Sequence, residues 1–270
     1  GGGAGGGAGT RGRASAGRAG RGFGNPGRRR EERRARLRAS LGAGEAYGGA
    51  TVGGGRPVNV EYVSANPTGP MHIGHCRGAV VGDALANLLA KAGFAVTMEF
   101  YVNDAGTQVR ALAWASYWRY LQALGTTMEQ EAFATLAPTG LQYLGDYLVP
   151  VGMELAAEYG AKLAETAEDG TARPAPEATW LETVRGFTVA HMLKAIREDL
   201  AALGVNQEVF TSEADVLARG VTETAIQTLE QQGLLYEGIL EPPKGKLPED
   251  WEEREQLLFR STDFGEDVDR

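Results

Sequence analysis

The hydrophobic pattern changes character along the chain, and the changes predict its elements. The first 27 positions are mostly Gly, Ala, Arg and Ser with a single Phe, Phe23, and a single Pro, Pro26. Such a segment cannot bury enough apolar surface to offset its ordering entropy. Residues 28–41 read as a short basic helix that Gly42 and Gly44 would end. Order is predicted from about Arg56. Val58-Asn59-Val60-Glu61-Tyr62-Val63 is β-branched and aromatic and reads as a strand. Asn66-Pro67-Thr68-Gly69-Pro70 is a turn cluster. In residues 72–92, Ile73, Val80, Val81, Leu85, Leu88 and Leu89 recur at helical spacing, and Gly93 closes that helix. Residues 94–102 read as a second strand, Asn103-Asp104-Ala105-Gly106 as a turn, and 107–124 as a second helix. Strand, helix, strand, helix in this order predicts a parallel βαβ unit, whose ligands bind beyond the carboxyl ends of the strands. From 128 to 232 the pattern is mostly helical, clearest at 148–166 and 180–203, with a loop at 169–176 between them. Residues 234–270 are mixed, with a Pro/Lys/Gly loop at 242–248. There is no internal repeat.

Composition sharpens this division. The net charge of −8 hides two halves: residues 1–56 hold 12 Arg and 3 Glu, a balance of +9, so the rest carries −17. Of the 39 glycines, 20 fall in residues 1–55. The Arg-rich tract reads either as an RNA-binding arm or as a solvated low-complexity tail. The second reading is preferred, because the tract lacks repeated aromatic-flanked RGG units. No stretch offers about 20 unbroken apolar residues, so no membrane helix is predicted. The single cysteine, Cys76, excludes a disulfide scaffold and a Cys-rich zinc module, and favours a reducing compartment. Cys76 itself is predicted to be an unreactive packed helix residue. The chain opens on Gly1 rather than Met and is expected to be a fragment.

Candidate chemistry gathers at the first turn. Of three histidines, two form His72-Ile73-Gly74-His75. Three apart, they share one face of the first helical turn, where backbone N–H groups and the helix dipole favour an anion. Two imidazoles there suit hydrogen bonding to phosphate oxygens, stabilising a transferring group rather than attacking it. Gly74 would let a flat ring or a ligand approach closely. A metal site is the competing reading, but the pair supplies two ligands and no third is near. Simple helix capping is the other. Glu61 interrupts a strand predicted to be buried on both faces, so its carboxylate needs a partner. That partner is either an internal cation such as Arg77 or a ligand guanidinium, which pairs bidentately with a carboxylate. Asn66 can add an amide hydrogen bond.

These residues carry a resemblance. Glu61-Tyr62-Val63-Ser64-Ala65-Asn66-Pro67-Thr68-Gly69-Pro70-Met71-His72-Ile73-Gly74-His75 resembles the HIGH signature of class I aminoacyl-tRNA synthetases, and within them the bacterial arginyl-tRNA synthetase family. Tyr101-Val102-Asn103-Asp104-Ala105-Gly106-Thr107-Gln108 resembles that family's YxNDxGxQ turn. Tyr143-Leu144-Gly145-Asp146-Tyr147-Leu148 resembles its YxGDYL helix start, and Phe210-Thr211-Ser212-Glu213 its F.SE segment. The resemblance runs from about residue 45 to 270. It implies an α/β fold: the first half of a Rossmann-like nucleotide-binding domain at 56–125, a mostly helical insertion at 126–232, and a mixed segment at 233–270 leading to a second half. A disordered tract is expected at 1–55.

The resemblance also implies arginine–tRNA ligation in the cytoplasm: ATP with Mg²⁺ activates L-arginine, and the arginyl group passes to tRNA(Arg). By position it assigns Ala65, Asn66, Pro67, Thr68, Gly69, Pro70, Met71, His72, Ile73, Gly74 and His75 to ATP, with His72 and His75 as the catalytic pair. It assigns Glu61, Ser64 and Asn66 to arginine, with Asn103, Asp104 and Gln108 closing the pocket. No protein-bound metal is implied. Three of the family's features are missing from the sequence: its N-terminal domain, the Tyr and Asp that complete the arginine pocket, and its KMSK-type loop. Lys244-Gly245-Lys246 stands in the wrong context for that loop. The polypeptide is therefore expected to be inactive alone. The alternatives are a small-molecule nucleotidylyltransferase of the same superfamily and a degenerate RNA-binding product.

Overall fold

The computed structural model describes residues 26–240 and 255–269, in two compact units, 1–50 and 51–270. In the first unit, Pro26–Ala43 forms helix α1. Its Arg, Ala, Glu and Leu are good helix formers, and Gly44 ends it in a left-handed conformation, φ 54°. A 3₁₀ turn, Gly44–Ala46, follows. The helix covers the stretch read as a short basic helix, 28–41, and extends it by two residues at each end, within the tract 1–55 otherwise expected to be disordered. Residues 1–25 lie outside the described residues.

The second unit starts earlier than Arg56. Gly53 and Gly55 donate their N–H groups to the carbonyls of Ala92 and Gly93, both at 2.8 Å. A Cβ on Gly53 would lie 2.4 Å from the Phe94 nitrogen, so only glycine fits there. Strand β1 (Pro57–Glu61), helix α2 (Ile73–Lys91) and strand β2 (Ala95–Val102) form the predicted βαβ unit. The strands are parallel, with Glu61 opposite Glu99.

Helices α3 (Thr107–Ala123), α4 (Gln130–Ala134) and α5 (Leu148–Tyr159) come next. A short antiparallel hairpin, β3 (Ala164–Thr166) and β4 (Ala172–Pro174), precedes the long α6 (Glu177–Ala202). Strand β5 (Val209–Ser212) then returns to the main sheet, parallel to β2, giving the order β1-β2-β5. Helices α7 (Glu213–Ala218) and α8 (Val221–Gln231) lead to an antiparallel pair, β6 (Leu235–Ile239) and β7 (Glu255–Phe259). The loop at 242–248, with Lys244 and Lys246, lies outside the described residues.

Two expectations need correction here. The span 126–232 is mostly helical as expected, but β5 within it belongs to the parallel sheet, the helix predicted at 148–166 ends at Tyr159 and is followed by β3, and β4 falls in the loop predicted at 169–176. Most of the large apolar residues of α2 do not pack: Ile73, Val80, Val81, Leu85 and Leu88 are exposed, and Leu89 is half-buried. The packing face is instead Ala79, Gly82 and Ala86. Small residues bring the helix axis close to the sheet, and a Cβ on Gly82 would lie 2.3 Å from the ring of Tyr62.

Two cores result. The helical one joins α3, α5 and α6, with the Trp180 ring stacked on Tyr117 at 3.8 Å between centroids. Its tyrosines keep their hydroxyls satisfied: Tyr117 donates to the Leu163 carbonyl at 2.7 Å, and Tyr120 to that of Gly160 at 2.6 Å. Burial pushes the Tyr117 phenol up to about 12. The second core lies under the sheet, where Tyr62, Phe100 and Val102 meet Ala79 of α2 and Ile196 and Leu200 of α6. The amino-terminal half of α6 thus serves one core and its carboxyl-terminal half the other.

The start of α6 is pinned by an ion pair. Glu177 accepts from Arg110 Nε at 2.9 Å and Nη2 at 2.7 Å, and from Trp114 Nε1 at 2.9 Å. The Arg110 hydrogen bonds hold its carboxyl below the ordinary 4.5. A carboxyl lowered by folding contributes stability that is full above its ordinary value and lost as pH falls through the folded one. Glu177→Gln should therefore lower the melting temperature at pH 7 and leave it unchanged well below the folded value. Melting curves of both proteins at successively lower pH check this, and a gap that does not narrow as the pH falls below 4.5 would disprove it.

Candidate active site

The site forms where the chain leaves the carboxyl ends of β1 and β2. Side chains alternate across a strand, so Asn59 and Glu61 share one face of β1, and Glu99 stands beside Glu61 on the same face of β2. This face is not the one covered by α2 and α6. Glu61 is accordingly exposed, not buried on both faces as its strand suggested. Glu99 accepts from Thr211 of β5 and from Asn59 of β1, tying the three strands together. Those hydrogen bonds, Thr211's first, hold its carboxyl below the ordinary range.

After β1 the backbone turns sharply. Val63 and Ser64 adopt positive φ, 69° and 42°, a conformation that costs a non-glycine residue about 1–3 kcal/mol and clusters at functional sites. The turn gives Ser64 two partners. Its hydroxyl donates to the Glu61 carboxylate and accepts the Tyr101 backbone N–H at 3.0 Å. Glu61 is thus held by Ser64, and no ion pair with Arg77 forms among the described residues. Two residues on, the Asn66 amide donates to Gln108 Oε1 at 2.8 Å, joining the β1 turn to the first turn of α3.

The stretch 65–75 divides by role. Ala65 is buried in the sheet core, and Met71 packs against it. Pro67 is buried as well. The Thr68 carbonyl accepts the Tyr147 hydroxyl at 2.7 Å, and a Cβ on Gly69 would lie 3.4 Å from that oxygen. Tyr147 comes from the helical core, so the turn before the His pair is braced by the insertion. His72 then caps α2. Gly74 N–H donates to His72 Nδ1 at 3.1 Å, and His72 N–H to His75 Nδ1 at 3.3 Å. The two rings stack, 3.8 Å between centroids and 19° between planes. Burial, and then the neighbouring His72, lower the His75 pKa below its ordinary 6.5. Cys76 is half-buried in the next position, its Sγ 3.9 Å from the His72 carbonyl. His191 is elsewhere, paired with Glu154 at 3.1 Å.

Asn103 and Asp104 follow β2 at the same end of the sheet. Asp104, however, already has partners: it accepts from Ser212 Oγ at 2.7 Å and from Ala214 N–H at 2.9 Å, clamping the start of α7. Among the described residues no three His, Cys, Asp or Glu side chains gather to hold a metal ion.

Residues 37–134 match the family described as tRNA synthetases class I (R), catalytic domain. The chain is 61% identical over 230 residues to the arginine–tRNA ligase of Gluconobacter oxydans, covering 85% of this chain and 38% of that protein. It is 54% identical over 236 residues to the arginine–tRNA ligase of Rhizobium leguminosarum bv. trifolii, covering 87% and 38%. The chain belongs to the class I arginyl-tRNA synthetase family. It spans about 38% of the length of these arginyl-tRNA synthetases. A solved structure described as an arginyl-tRNA synthetase from Campylobacter jejuni shares the fold at TM-score 0.61, with 24% identity, over 86% of this chain and 43% of that one.

Within the arginyl-tRNA synthetase signature, the structure brings Glu61, Ser64, Asn66, Gln108 and the His pair to one end of the sheet. Two residues there carried no individual assignment from sequence. Tyr101 orients Ser64 through its backbone, and Tyr147 braces Thr68. Both lie inside stretches that resemble the family, Tyr101 in the YxNDxGxQ turn and Tyr147 in the YxGDYL segment, so the signal was present without a contact to give it meaning.

Proposed function

We propose that these residues are the arginine- and nucleotide-facing part of an arginine–tRNA ligase acting in cytoplasmic translation. Glu61 pairs with the substrate guanidinium, and Ser64 and Asn66 complete that side of the pocket. The arginine α-carboxylate attacks the α-phosphorus of ATP, which enters with Mg²⁺, and the bond to pyrophosphate breaks. His72 and His75 hydrogen-bond to the phosphate oxygens as charge moves onto the leaving group. The arginyl group then passes from the adenylate to the 3′ end of tRNA(Arg). Asn103 borders the pocket; Asp104 acts through α7.

The observation that carries this reading is the Glu61 carboxylate held by Ser64 at one end of the β1–α2 connection and the stacked His pair at the other. It supports reading the connection from β1 to α2 as carrying both a guanidinium acceptor and a phosphate donor set. Because no KMSK-type run is present in the sequence, we infer that the 270-residue polypeptide alone binds arginine without completing adenylation. Calorimetry with arginine and with citrulline, its neutral isostere, tests the assignment. Arginine is expected to bind at least ~10-fold more tightly, the loss for one charge-assisted hydrogen bond. Equal affinity would rule out Glu61 as the guanidinium partner. Arginine-dependent ATP–pyrophosphate exchange by this polypeptide would disprove its inactivity.

A further inference from the structure

A helix begins with backbone N–H groups that have no partner within the helix. In α2 they are used in an unusual way. Gly74 N–H and His72 N–H donate to the Nδ1 atoms of His72 and His75, at 3.1 and 3.3 Å. His75 N–H goes to the His72 carbonyl at 2.9 Å. The first turn therefore does not offer these amides to a ligand, contrary to the simple picture of an anion sitting on a helix N-terminus.

An imidazole nitrogen that accepts an N–H must carry its lone pair. In a neutral ring the proton then sits on Nε2, at the far side of the ring. Both rings are fixed this way by the same turn. Stacking at 3.8 Å also opposes two adjacent positive charges. Gly74 is part of the device. A Cβ there would lie 2.9 Å from His72 Cε1 and 3.0 Å from His72 Nδ1, displacing the ring from its cap. The flat ring that Gly74 admits is His72 itself.

We propose that the two imidazoles are neutral relays: His72 takes the Gly74 N–H of α2 on Nδ1, His75 takes the N–H of the capping residue His72, and each presents Nε2–H to an anionic oxygen. Hydrogen bonds in a chain polarise one another, so the positive end of the helix reaches the ligand through the rings. That the anion is a nucleotide phosphate rests on the function proposed above. The relay itself does not.

The test is long-range ¹H–¹⁵N correlation spectroscopy on the full 270-residue chain, with ¹⁵N-labelled histidine, at pH 7.5 and without ligand. His191 serves as an internal contrast, since its Nδ1 faces the Glu154 carboxylate at 3.1 Å and should carry a proton there. His191→Gln identifies its signals by removing them. His72 and His75 should both show the Nε2–H tautomer with an unprotonated Nδ1. A protonated Nδ1 on either ring overturns the relay. In Gly74→Ala, His72 should lose its single tautomer and exchange between both forms; an unchanged His72 pattern also overturns it. Both measurements are made without ligand. Their failure would leave the arginine–citrulline comparison standing, and failure of that comparison would leave the tautomers as they are.

Discussion

Trp180→Ala should cost the protein about 3–5 kcal/mol of stability, the range for removing a large buried aromatic. The ring is 1% exposed. It lies face to face with Tyr117 and edge-on to Trp114, centroids 4.8 Å apart in the second case. Its Nε1–H donates to the Ala175 carbonyl at 3.1 Å, and Tyr117 accepts Ala175 N–H at 3.0 Å, so one ring pair holds the end of the hairpin as well. Truncation leaves a cavity between α3 and α6 and an acceptor without its donor. The damage is not confined to the helical core, because α6 continues beneath the sheet and carries Ile196 and Leu200 into the second core. Urea denaturation measures the loss, and a change below ~1 kcal/mol, the average for any point substitution, would show that the helical core repacks freely. Trp180→Phe keeps an aromatic ring in the site but gives up the hydrogen bond and part of the ring volume, so its cost should lie between about 1 kcal/mol and that of the alanine variant.

The βαβ unit was legible because a change of hydrophobic period marks it, and β1, α2 and β2 end within a residue or two of their predicted limits. What failed was the choice of packing face on α2. Ala79, Gly82 and Ala86 have little hydropathy to announce them, yet the close approach of Tyr62 requires small residues. The exposed Val80, Val81, Leu85 and Leu88 dominate the periodicity instead. Strand β5 was missed for a different reason. Four residues between two helices give no alternation to read, and their role depends on pairing with β2, more than a hundred positions earlier. Gly53 is similar: its need for glycine arises from the Phe94 backbone, which no local pattern reveals.

The site shows the same division. The place of His72, Gly74 and His75 at the first turn of a helix was readable because the whole motif lies within that turn. Asn66 and Gln108 were each assigned to the pocket from stretches that resemble one family, but their hydrogen bond to each other was not foreseen. Glu61 was recognised as a carboxylate in need of a partner; of the two partners considered, the internal cation Arg77 does not pair with it. Burial was inferred from the parallel sheet, whereas the described residues cover one face of it. Its partner within the chain, Ser64, is three residues away and reaches Glu61 where Val63 and Ser64 adopt left-handed backbone, which the sequence does not signal. Asp104 shows the reverse. Its place in the motif suggested a ligand contact, and the start of α7 occupies its carboxylate.

Glu61→Gln should weaken arginine binding by ~10- to 100-fold, the loss of 1.5–3 kcal/mol that accompanies removal of a charge-assisted hydrogen bond. The amide keeps the size of the side chain, so the change isolates charge. Binding of ATP should move less than about 2-fold, because the His pair is set by α2's own backbone and not by Glu61. Ser64→Ala should have the same sign and a smaller effect, since it removes an orienting hydroxyl and leaves the carboxylate. It should also loosen the tie to Tyr101 N–H. Calorimetric titrations of the three proteins with arginine and with ATP separate these cases. An equal loss for both ligands in Glu61→Gln would mean that the carboxylate shapes the turn rather than the guanidinium site. Citrulline provides the last step of the argument: if Glu61 acts through charge, the variant should no longer distinguish citrulline from arginine, whichever of the two it binds more weakly than before.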